Sequence, residues 1–123
     1  MAEEKFPGKI EISLAVGKEW SKKYKDSPEG RAKDAVDAYL VPLESLEAIL
    51  KLKESLKIDA ARAYKGVNEL GEQTLMFVGA KLNEKTGIYE DVFADGDGDL
   101  STAVLYDGAR PCPPFGDPDG PLT

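Results

Sequence analysis

The sequence predicts an α+β fold, a mainly antiparallel sheet of four to five strands with two helices packed on one face and an extended proline-rich C-terminal tail. Three observations carry that expectation. Apolar residues recur at helical spacing in two stretches of the first half, the period changes to two after Ile58, and no repeated strand–helix–strand unit is present to build a parallel sheet. At 123 residues the chain fits one domain, 1–123, with a loose N-terminus over 1–12, an α+β body over 13–106 and a proline-rich tail over 107–123 docked on the body.

The first helix starts at Ser13, whose side-chain oxygen can accept an amide left unpaired in the first turn. Ile12, Val16, Trp20 and Tyr24 then recur every four residues, a face expected in the core, while Lys18, Lys22, Lys23 and Lys25 lie elsewhere and read as solvated. Asp26-Ser27-Pro28-Glu29-Gly30 ends that helix. Residues 36–41 are β-prone and close at Pro42, which cannot donate to a ladder but suits a first helical turn. Leu43, Leu46, Ile49, Leu50 and Leu56 come next at helical spacing, with Glu44 and Glu47 toward the N-terminal end and Lys51, Lys53 and Lys57 toward the C-terminal end, as the helix dipole favours.

Ala61, Ala63 and Val67 then alternate with Arg62, Tyr64 and Gly66, residues 68–72 supply a turn, and 73–82 run as a strand apolar on both faces, hence central in the sheet. A turn over 83–87 leads to a third arm at 88–93, and 101–106 read as one more strand. Pro111, Pro113, Pro114, Pro118 and Pro121 exclude regular structure from the tail.

Charge is divided sharply along the chain. Residues 1–85 carry fifteen acids and fifteen bases, whereas 86–123 carry eight acids against Arg110 alone, so the whole net charge of −7 resides in the last third. Separated charge blocks report interaction more than fold, which makes this third the expected surface for a basic protein partner. Nucleic acid and membranes are not expected partners, because both would be repelled by the acidic block. A single cysteine forms no internal disulfide and the acidic N-terminus carries no export signal, so the expected location is cytoplasmic. The absence of histidine removes Ser-His and Cys-His nucleophile pairs and histidine-ligated metals, leaving carboxylate, lysine or hard-cation chemistry.

Three features stand out. In Asp95-Gly96-Asp97-Gly98-Asp99-Leu100-Ser101, oxygen ligands at alternate positions (Asp95, Asp97, Asp99, Ser101) would converge on a weakly held Ca²⁺ or Mg²⁺, or else form a plain hairpin loop. It resembles an EF-hand loop only in part, since Leu100 stands at the glycine position and Tyr106 at the bidentate acid. In the tail, Cys112 lies between prolines, and with Phe115 and Leu122 it is expected to anchor the tail on the body; without a histidine base a nucleophilic role is the weaker reading. The aromatic residues serve core packing or line a pocket, and Arg62 and Tyr64 draw notice because they share a strand face with Gly66, where another group can approach closely.

A tryptophan-bearing first helix, Leu40-Val41-Pro42 before a leucine-rich helix, the arms Arg62-Ala63-Tyr64-Lys65-Gly66 and Leu75-Met76-Phe77-Val78-Gly79, and Leu105-Tyr106-Asp107 before Arg110-Pro111-Cys112-Pro113-Pro114 resemble small uncharacterised proteins of Bacteroidetes bacteria. That resemblance implies a bacterial domain with an ordered C-terminus and brings no catalytic residue with it. The functional expectation is a soluble non-enzymatic binding or interaction domain, using Asp95, Asp97, Asp99, Asp117 and Asp119 toward a basic partner. The alternative is a weak Ca²⁺/Mg²⁺-binding protein or a carboxylate-based, metal-assisted hydrolase at the Asp95–Asp99 loop.

Overall fold

The computed structural model of the chain describes residues 3–6, 8, 10–93, 104–113 and 116–122. Its elements in chain order are α1 (Leu14–Asp26), α2 (Pro28–Arg31), β1 (Ala38–Leu40), α3 (Leu43–Ser55), β2 (Ala60–Val67), β3 (Gln73–Asn83), β4 (Ile88–Val92) and β5 (Arg110–Cys112). The class is α+β. The strands fall into two sheets instead of the single one expected: a meander in the order β2-β3-β4 and a separate β1-β5 pair, both antiparallel. Two compact units result, Met1–Phe6 with Val41–Ala109 and Pro7–Leu40 with Arg110–Thr123.

In the first unit β3 is the central strand, as its two-sided apolar sequence requires. Paired residues share a face of the sheet, so Phe77, Gly79 and Val92 lie on one side and Arg62, Tyr64, Val78, Ala80 and Asp91 on the other. α3 covers the first side, where Ile49, Leu52 and Ile58 form the core with Leu56, Phe77, Val92 and Tyr106 around them. Gly79 is needed there, because a Cβ at that position would stand 2.8 Å from Ile58 Cγ2 and 3.2 Å from the Val92 carbonyl oxygen. β4 parts from β3 at the Val92–Gly79 pair, and Tyr106 takes the vacated side of β3, exchanging backbone bonds of 2.7 and 3.0 Å with Phe77. Of the further strand expected over 101–106, residues 101–103 lie outside the described residues, and Tyr106 supplies an isolated bridge. Two buried hydroxyls fix the backbone from Asp107 to Ala109. Ser45 Oγ donates to the Asp107 carbonyl at 2.5 Å, and Thr74 Oγ1 lies 2.5 Å from Asp107 Oδ1 and 3.1 Å from the Ala109 carbonyl oxygen.

In the second unit α1 begins where Ser13 Oγ accepts the Val16 amide at 3.2 Å and ends at Ser27, whose N–H bonds the Tyr24 carbonyl at 3.0 Å. Ser27 also caps α2 by accepting the Gly30 amide at 3.1 Å. The tail, expected to hold no regular structure, contains a strand at Arg110–Cys112, with Ala38 opposite Cys112, Tyr39 opposite Pro111 and Leu40 opposite Arg110. In a two-stranded sheet both strands are edges, which is where a proline without an N–H is tolerated. Among the described residues no helix is long and apolar enough to cross a membrane.

Candidate functional site

α1 contains no buried residue. The face expected in the core is turned outward, with Ile12 47%, Trp20 55% and Tyr24 38% exposed and only Val16 half-buried. The spacing explains this. A core-facing helix places apolar residues at i+3 as well as i+4, whereas here the i+3 positions after Val16 and Trp20 are Glu19 and Lys23, joined by a 3.7 Å ion pair. The apolar stripe is therefore only one residue wide, too narrow to seat a helix against a core.

The C-terminal segment lies along the polar flank of the same helix. Ser21 Oγ and Lys25 Nζ both donate to the Leu122 carbonyl, at 3.0 and 2.7 Å, and Lys22 Nζ reaches Asp26 Oδ2 at 2.7 Å. An open depression of about 500 Å³ there is lined by Lys18, Ser21, Lys22, Lys25, Pro121 and Leu122 among others. Of the three expected tail anchors, Cys112 is half-buried within β5, Leu122 is held through its carbonyl and is 49% exposed, and Phe115 lies outside the described residues.

Asp95, Asp97, Asp99 and Ser101, the candidate cation ligands and part of the acidic partner surface, lie outside the described residues. The other two partner acids, Asp117 and Asp119, are exposed, and Asp117 closes its own turn by accepting the Asp119 amide at 3.0 Å and the Gly120 amide at 3.1 Å. Among the described residues no three His, Cys, Asp or Glu side chains gather as a metal site.

Arg62 and Tyr64 do come together with acids, in the first unit. Arg62 Nη1 donates to Asp91 Oδ1 at 2.6 Å and to the Tyr89 carbonyl at 2.9 Å, while Nη2 meets both oxygens of Glu4 at 2.7 and 2.9 Å. The Tyr64 hydroxyl donates to the other Asp91 oxygen. Glu4 also accepts the Tyr89 amide at 2.8 Å, so residues within the stretch read as a loose start are tied to β4, with Phe6 and Tyr89 in ring contact at 5.4 Å. The Tyr89 amide first and the Arg62 guanidinium second hold the Glu4 carboxyl below the usual range, and the bond to Asp91 raises the Tyr64 hydroxyl. Each of these carboxylates is engaged by donors, and the arrangement acts as a clasp. Gly66, singled out as a point of close approach, has its empty side filled by Met76, whose Cε would lie 2.8 Å from an added Cβ. The sequence signal for the clasp was Arg62 itself, a cation between two alanines on a strand face shared with Tyr64 and Gly66; nothing local marked Glu4 as its partner.

Comparison of the chain with protein-family models, with curated proteins and with solved structures finds no match.

Proposed function

We propose that the protein is a non-enzymatic interaction domain for a basic protein partner, with the outward apolar residues of α1 making contact and the acidic C-terminal third steering the encounter. The observation that carries this reading is a 13-residue helix with none of its residues buried and the only tryptophan of the chain at its surface. Tryptophan and tyrosine bring large contact area at small entropic cost and are enriched where partners bind. The charge block supplies long-range attraction that weakens as salt rises.

Trp20 is also the reporter, since emission of a sole tryptophan shifts to the blue when its ring leaves water. Wild type, Trp20→Ala and a variant with Asn at 95, 97, 99, 117 and 119 would serve as baits in a native lysate. The expected capture is a basic protein, lost with Trp20→Ala and diminished by salt and by the Asn set. The purified partner should then blue-shift Trp20. Capture indifferent to both variants and to ionic strength would overturn the proposal.

A further inference from the structure

The two edges of the three-stranded sheet are treated differently. On β4, the Tyr89 amide is taken by Glu4 and its carbonyl by Arg62, the Gly87 carbonyl is taken by the Glu4 amide at 2.8 Å, and past the end of β4 the side of β3 is taken by Tyr106. Charged side chains and covering segments are how sheets avoid pairing at an edge. β2, eight residues long and without proline, carries one exposed lysine, Lys65, but no segment or side chain is bonded to its outer backbone groups among the described residues, and Ala61, Ala63, Tyr64, Lys65 and Val67 along it are all exposed.

The direction of the β2 backbone groups is set by Phe77. Both its amide and its carbonyl bond Tyr106, on the side of β3 away from β2, so Phe77 and Ala63 form a pair without hydrogen bonds between them. Alternation then points the amides and carbonyls of Ala61, Ala63, Lys65 and Val67 outward from the sheet.

We infer that β2 pairs antiparallel with β2 of a second copy, joining two three-stranded sheets into one of six. This goes beyond the proposed partner binding and concerns a different surface. The strand is self-complementary in one register. With Tyr64 opposite Tyr64, Ala61 faces Val67 and Ala63 faces Lys65, so all four outward residues find partners, while Arg62 faces Gly66, which sets no like charge against it. Centring the pair on Ala63 leaves Val67 opposite Asp59, outside the strand, and centring it on Lys65 sets two lysines directly opposite. An interface of one strand from each copy is at the small end of specific ones, so the dimer forms reversibly at high protein concentration.

The test is sedimentation equilibrium of the full chain up to about 1 mM. Ala63→Pro removes an outward amide and no bond of the β2–β3 ladder, and it should give a monomer with an unchanged melting midpoint. Ala63→Glu, facing Lys65 twice across the two-fold, should tighten the dimer about fivefold, and Ala63→Lys should loosen it about fivefold. The glutamate effect is diagnostic because a further negative charge on a chain of net −7 would otherwise drive copies apart. If the proline variant fails to fold, the glutamate and lysine variants still decide. A monomer at every concentration overturns the inference, as does a dimer that ignores all three substitutions, which would move the interface to another face such as α1.

Discussion

Arg62 holds three pieces of chain together: β2 through its own backbone, β4 through Asp91 and the Tyr89 carbonyl, and the N-terminal segment through Glu4. Replacing it with alanine strands two carboxylates beside each other, and Arg62→Ala should lower stability by about 1–2 kcal/mol in urea unfolding, with Glu4→Gln costing less. The pH dependence has a definite sign at each end. Glu4 has its folded-state pKa lowered, so its contribution is complete at neutral pH and is lost as pH falls through the glutamate range; Tyr64 is raised, so its contribution is complete below about pH 10 and is lost above it. Proton resonances of Phe6 and Tyr89 should report the acid step as their ring contact opens. Two glycines give a contrasting pair. Gly79→Ala meets Ile58 and the Val92 backbone and should cost about 1–3 kcal/mol, whereas Gly66→Ala meets only the flexible end of Met76 and should cost under about 1 kcal/mol, as thermal melts of the two variants would show.

Elements were legible in the sequence where their determinants are local. Ser13 as cap, Pro42 ahead of α3 and the turns at 68–72 and 83–87 all act within a few residues, and they set the ends of α1, α3 and the meander. Ser13→Ala should accordingly lose about 1 kcal/mol of helix stability, visible as fraying of Leu14 to Gly17 in amide exchange. What the sequence did not reveal was which surface each element meets. The four-residue recurrence in α1 suggests a core face, but the polar i+3 positions make the stripe too narrow, and its aromatic residues stand in water. β5 escaped for a related reason. Five prolines argue against a strand, and the partner with which Arg110–Cys112 pairs, Ala38–Leu40, lies far away in the chain.

At the scale of the whole molecule, the charge split was plain from composition, yet Asp91 and Asp107 belong to internal contacts with Arg62, Tyr64 and Thr74, so a count of acids overstates the free surface. The division into two units was not legible, because each is built from segments far apart in the chain. Truncation after Ala109 removes β5 and the carbonyl that holds Ser21 and Lys25, and it should abolish amide protection in β1 and α1 while leaving β2, β3 and β4 protected in hydrogen exchange. The same interleaving sets an order in time. During synthesis at roughly 5–20 residues per second, Ala38 waits several seconds for Cys112, while β2 and β3 close locally across a five-residue turn. A ribosome-stalled nascent chain lacking the last residues would carry a formed meander and a β1 still without its neighbour, so this short strand is exposed to passing chains for longer than β2, β3 or β4.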